Sequence, residues 1–106
     1  MKLENKSIAN QIKSTIRNKD PKAEVILFGS RARGQENKDS DWDILVLLDL
    51  AVVDRQTERD YRERLFELEL ETGEAISTFV FSKQDWKEKY AATPFFQSVV
   101  RDGIHL

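Results

Sequence analysis

Apolar and polar positions follow two different periods along the chain, and the switches between them mark its elements. Ile8, Ile12 and Ile16, with Thr15 beside them, recur at helical spacing behind candidate caps at Asn5 and Ser7. Asp20-Pro21 closes that helix, because a residue before proline is driven out of the helical region. Residues 23–28 then read as a buried strand, with Val25-Ile26-Leu27-Phe28 apolar and rich in strand formers. Gly29-Ser30 breaks it. Residues 31–40 are polar apart from Ala32, which predicts a helical turn and a loop. A second strand follows over 41–48, its buried body running from Ile44 through Leu45, Val46 and Leu47 to Leu48.

A charged helix is predicted over 57–71. Tyr61, Leu65 and Leu68 stand at i, i+4 and i+7, and Phe66 and Leu70 are read as widening that apolar face. Thr57-x-x-Asp60 resembles a capping box, and Gly73 supplies a stop. A third strand is expected over 75–81. Ser82-x-x-Asp85 opens another helix reaching about Ala91 or Ala92, and Pro94 opens a last one through Arg101, ended by Gly103. The order helix, strand, strand, helix, strand, helix, helix predicts one α/β (α+β) domain over residues 1–106, without repeats or linkers.

Charge and composition narrow the function. The 17 basic and 19 acidic residues leave a formal charge of −2, so no broad basic field marks a nucleic-acid binder. There is no cysteine, which removes disulfides and thiolate metal sites. The N-terminal Met1-Lys2-Leu3-Glu4-Asn5-Lys6 lacks the apolar stretch of a signal peptide, and the aliphatic run 44–48 is too short to cross a bilayer. The expectation is a cytoplasmic protein with no membrane partner.

The candidate chemistry lies where the first two strands meet their loop. Asp41 and Asp43, at i and i+2 on a strand, point to the same face, roughly 7 Å apart along it. Paired metal ions in phosphoryl-transfer sites lie about 3.5–4 Å apart, so one such carboxylate pair can flank both from one side. Hard oxygen ligands suit Mg²⁺ (or Mn²⁺), which takes further ligands from substrate phosphates. Opposite them, Gly29 permits close backbone approach to a phosphate and Ser30 adds a hydroxyl. Arg31 and Arg33 are expected to add charge beside the phosphate tail. Each half alone is commonplace, Gly-Ser as a turn and Asp-Trp-Asp as solvated charge. Their combination beside a five-residue apolar run is not, since carboxylates next to a core strand are costly without a cation.

The segment Phe28-Gly29-Ser30-Arg31-Ala32-Arg33-Gly34, followed by Ser40-Asp41-Trp42-Asp43-Ile44, resembles the signature of the DNA polymerase beta-like nucleotidyltransferase superfamily. Within it, the chain is similar to the minimal nucleotidyltransferases, whose hallmark is Gly-Ser, ten residues, Asp-x-Asp. The element order fits that fold over nearly the whole chain. The resemblance implies a small mixed sheet flanked by helices, binding of a nucleoside triphosphate such as ATP with Mg²⁺, and transfer of a nucleoside monophosphate to an acceptor. Asp41 and Asp43 would hold the metal, and Gly29, Ser30, Arg31 and Arg33 the nucleotide. Some minimal members are antitoxins that adenylylate a helical toxin encoded beside them, which implies a toxin-like protein partner. The family usually carries a third carboxylate on the next strand. Here that strand reads Ala75-Ile76-Ser77-Thr78-Phe79-Val80-Phe81, with Ser77 at the corresponding position and Glu74 just before it. Two readings therefore stand: a transferase, and a nucleotide-binding or partner-docking module with weak or absent transfer.

Elsewhere the sequence suggests structure more than chemistry. His105 is expected to fray at the terminus. Trp42 should face the core, and Trp86, Tyr90, Phe95 and Phe96 should form a satellite core. Glu58–Arg62 and Asp60–Arg64 are candidate i, i+4 pairs worth about 0.2–0.5 kcal/mol each. Glu63, Glu67 and Glu71 make an acidic stripe, either solvated or a docking surface for a basic partner.

Overall fold

The computed structural model describes residues 3–106. Met1 and Lys2, the start of the stretch read above for a leader, lie outside them. Helix α1 (Leu3–Lys19) sends Ala9, Ile12 and Ile16 into the core. It begins before the caps expected at Asn5 and Ser7, with Glu4 in its first turn, where an acid meets the positive end of the helix dipole. After Pro21 the chain enters β1 (Glu24–Phe28) and a single helical turn, α2 (Gly29–Ala32), then crosses a loop into β2 (Trp42–Leu48).

Helix α3 (Arg55–Thr72) is capped one turn earlier than the Thr57–Asp60 pattern suggested. Asp54 is the N-cap, and its Oδ1 accepts from the Thr57 N–H at 2.8 Å. That backbone hydrogen bond holds the Asp54 carboxyl below the ordinary carboxylate range. Gly73 ends the helix at φ 74°, its N–H donating to the Glu69 carbonyl at 2.8 Å. Tyr61, Leu65 and Leu68 are buried as expected, but Phe66 and Leu70 are 56% and 72% exposed. At 3.6 residues per turn these two stand well over a quarter-turn from the buried stripe, on a second side of the helix. The Glu58–Arg62 pair forms at 3.0 Å. Asp60 instead reaches Lys19 on α1, at 3.6 Å.

Strand β3 (Ile76–Ser82) leads directly into α4 (Lys83–Lys89), whose N-cap Ser82 accepts from the Asp85 N–H. Helix α5 (Pro94–Asp102) is capped by Thr93 and carries proline in its first turn. Strand β4 (Ile104–His105) then pairs with β1, His105 opposite Ile26. The expected frayed terminus is thus tied into the sheet, and Leu106 N–H donates to the Val25 carbonyl at 2.9 Å. A two-residue strand carries no alternation to read.

The sheet order is β3-β2-β1-β4, with β1 antiparallel to β2 and β4, and β2 parallel to β3. A parallel pair needs a crossover, and α3 supplies it. Alternation then splits the strands between two cores. Val25, Leu27, Ile44, Val46, Leu48, Ile76 and Val80 pack with the buried residues of α1 and α3 on one face. Ile26, Leu45 and Leu47 meet Trp86 of α4 and Val99 of α5 on the other, with Tyr90, Phe95 and Phe96 packed around them. Among the described residues no helix is long and apolar enough to cross a membrane.

Candidate functional site

The site forms at one end of the second face. Pairing sets Asp43 of β2 between Phe28 of β1 and Ser77 of β3. Asp41 precedes β2 by one residue, and Asp41 and Asp43 share the side of Leu45 and Leu47, while Trp42 turns inward and is buried as expected. Packing against α4 and α5 buries Leu45 and Leu47, whereas Asp43 is half-buried and Asp41 exposed. The rings of Phe28, Phe79 and Phe95 close up beside them, with centroids 5.2, 5.6 and 5.7 Å apart.

The Gly29 turn forms the facing wall. Gly29 has φ 75°, which strains any L side chain, and a Cβ there would displace the Asp43 carboxylate, so both the turn and the site favour glycine. The α2 turn it opens has no side-chain cap, leaving its first N–H groups without that partner. Ser30, half-buried, is the second residue of this turn. Burial raises the pKa of Asp43, the neighbouring Asp41 charge raises it further, and Arg33 partly offsets both. The Asp43 carboxylate crowded against the glycine turn, with the Asp41 charge beside it, forms an oxygen donor set suited to a hard divalent cation. That crowding is the observation that fits Mg²⁺ or Mn²⁺ to these residues.

The two arginines of the motif part company. Arg33 is exposed on the Asp43 side and donates from Nε to Gln35 Oε1 at 3.1 Å. Arg31, expected beside the phosphates, is buried on the opposite side of the sheet. Its Nε and Nη2 donate to the Ser40 carbonyl at 3.1 and 2.8 Å, and its guanidinium lies 4.6 Å from the Trp42 ring centroid. Glu74 stands 3.6 Å from Nη2. Arg31 therefore clamps the loop that delivers Asp41, a role that residue spacing alone does not separate from phosphate binding. Glu74, the acid just before β3, is drawn to Arg31.

Ser77 donates its hydroxyl to Asp41 Oδ2 at 3.3 Å. The residue aligned with the missing carboxylate thus does lie against the Asp-x-Asp pair. Among the described residues no three His, Cys, Asp or Glu side chains gather closely enough to hold a metal ion by themselves. The acidic stripe divides in the fold. Glu63 turns into a groove beside β3, and Glu67 and Glu71 lie near Arg64 facing α1.

Solved structures match the fold, and three of them are similar over most of the chain. A toxin–antitoxin with AMP-PNP has a TM-score of 0.64 at 25% identity, over 91% of this chain and 69% of the other. A form of the toxin–antitoxin MntA-HpeT with a tyrosine changed to alanine gives 0.63 at 25%, over 92% and 70%. Another, with two aspartates changed to glutamate, gives 0.63 at 23%, over 91% and 69%, and shows the fold alone. No curated protein matches in sequence. The family model for the nucleotidyltransferase domain matches residues 9–95, most of the chain. With the glycine turn, the paired aspartates and this match in agreement, the chain belongs to the nucleotidyltransferase domain family.

Proposed function

We propose that this domain binds ATP with Mg²⁺ and transfers its nucleoside monophosphate to a hydroxyl of a helical, toxin-like protein partner, as an antitoxin. One observation carries the reading: the Asp43 carboxylate, with Asp41 beside it, is pressed against the Gly29 turn. Metal-binding and phosphate-binding halves are thereby adjacent. Asp41 and Asp43 hold the metal, which when bound offsets the charge of the phosphates. The uncapped N–H groups at Gly29 and Ser30, with the Ser30 hydroxyl, grip the phosphate tail, and Arg33 adds positive charge. The acceptor oxygen bonds to the α-phosphorus as the bond to the β-phosphate oxygen breaks, releasing pyrophosphate and the hydroxyl proton. The solved toxin–antitoxin with AMP-PNP, similar in fold, supports both the nucleotide and the protein partner.

Thermal shift tests the binding half. Mg-ATP should raise the melting temperature of the native chain by linkage, and Asp41→Asn with Asp43→Asn should remove the shift while the fold survives. Equal shifts in both proteins would refute the site.

The second reading, a binding module with little transfer, is favoured by Ser77 on Asp41. A serine hydroxyl stays protonated near neutral pH and accepts no proton from an acceptor, and general-base help is worth about 10²–10⁴-fold. With α-labelled ATP and a co-expressed partner, native transfer should be weak and Ser77→Asp should raise it. Robust native transfer, unchanged by Ser77→Asp, would rule this second reading out.

A further inference from the structure

Strand β3 is an edge of the sheet, so half of its backbone groups find no partner strand. Which half follows from the ladder. Trp42 N–H donates to the Ala75 carbonyl at 2.8 Å, and residues of a parallel strand alternate in the side to which they turn their N–H and C=O. Ser77 and Phe79 therefore face β2, while Ile76 and Thr78 face outward. Ile76 confirms it, because its N–H is capped from outside the sheet by Glu69 Oε1 at 2.6 Å. The N–H and C=O of Thr78 lie beyond that cap.

Ile76, Ser77, Thr78 and Phe79 all line one cavity of about 940 Å³. Four consecutive strand residues, with side chains on alternate faces, share a cavity only if it opens on the backbone edge. The far wall is a stripe of α3 that runs from Glu69 through Phe66 to Arg59 and Arg55. Phe66, 56% exposed, flanks the edge on the α3 side, and Phe79, 38% exposed, flanks it on the other. Along this stripe Arg62 is matched by Glu58 at 3.0 Å. Glu69 is engaged with the backbone, and among the described residues no ion pair involves Arg55, Arg59 or Glu63, so away from Glu69 the two arginines leave the stripe one positive charge in excess.

We infer that this edge takes an extended peptide segment of a protein partner, added to β3 as a fifth strand, with apolar side chains against Phe66 and Phe79 and an acidic residue toward Arg59 and Arg55. A peptide is the ligand whose alternating N–H and C=O groups continue the ladder. The stripe runs about 15 Å of helix from Glu69 to Arg59 and about 21 Å to Arg55, so the acidic residue falls about five to six extended positions from the Ser77 end. The inference deepens the proposed function and rests on it for its purpose. Ser77, which bonds Asp41, lies at that end, so the docked segment brings acceptor side chains to the proposed metal pair.

The test is to pan a displayed library of random nine-residue peptides against the full chain and to measure a selected, fluorescein-labelled peptide by anisotropy. Selected peptides should share an acidic position, and the Thr78 amide should exchange with solvent at least about tenfold more slowly in the complex. Thr78→Pro removes an outward N–H and no bond to β2, and it should weaken binding about tenfold, as should the helix-surface variants Phe66→Ser and Arg59→Glu. Mg-ATP binding should be unchanged in all three. Peptide binding indifferent to the three variants would overturn the inference. So would a concentration-dependent dimer of the chain that Thr78→Pro dissociates, since a second copy would then cover the edge. Loss of Mg-ATP binding in the native chain would instead sink the proposed function and leave the docking result standing.

Discussion

The two halves of β2 obey one alternation and carry opposite chemistry. From Ile44 onward both faces are sealed, Ile44 and Val46 under α1 and α3, Leu45 and Leu47 under α4 and α5. Before Ile44 only the Trp42 side is sealed, and Asp41 and Asp43 stand on the open side. The helical cover, rather than the strand, decides which half becomes core and which becomes site. Carboxylates are tolerated where water or a cation reaches them.

That contrast breaks if the two halves respond alike to truncation. Ile44→Ala, at a fully buried position, should cost about 2–5 kcal/mol in urea unfolding. Asp43→Asn should leave stability unchanged or raise it, because it relieves repulsion from Asp41. A comparable loss in both would make Asp43 a structural residue. Next in size, Arg31→Met should cost about 1.5–3 kcal/mol for the lost charged hydrogen bonds to Ser40, whereas Arg33→Ala should stay within about 0.5 kcal/mol. If Arg33→Ala proved the more damaging, the division of labour between these arginines would be reversed.

Gly29→Ala sharpens the contact between the halves of the site. A left-handed alanine costs about 1–2 kcal/mol, and its Cβ displaces the Asp43 carboxylate, so nucleotide binding should fall more than stability does. Calorimetric titration of Mg-ATP against the variant checks this.

The smallest effect is in pH. Asp43 holds its proton more tightly folded than unfolded, because burial and Asp41 disfavour its charge. Its contribution to stability is therefore fully present below the unfolded value near 3.8 and lost as pH rises through the raised folded value. Asp54 acts the other way, with stability present above its unfolded value and lost as pH falls through its lowered folded one. Asp43→Asn should remove the first slope alone, seen as the difference between two stability–pH profiles.

Most of the architecture was legible because long elements repeat. Ile8, Ile12 and Ile16 announced α1, the run from Ile44 to Leu48 announced β2, and Tyr61, Leu65 and Leu68 announced the inner side of α3. Phe66 and Leu70 misled because apolarity alone does not say which side of a helix is covered. β4 was missed because its pairing with β1 depends on α5 ending at the extended Gly103, not on its own two residues. At the site, spacing showed that Asp41 and Asp43 share a face. It did not show that Arg31 passes beneath the sheet, because that depends on Trp42 offering a ring and Ser40 a carbonyl. Nor does one strand's sequence reveal that its edge is open, which follows only from the order of all four.

Binding of Mn²⁺, followed by its paramagnetic resonance signal, tests the central claim most directly. In the presence of a non-hydrolysable ATP analogue the native chain should bind Mn²⁺ saturably, and Asp41→Asn with Asp43→Asn should return the free-ion signal. Undiminished Mn²⁺ binding by that double variant, correctly folded, would contradict the account.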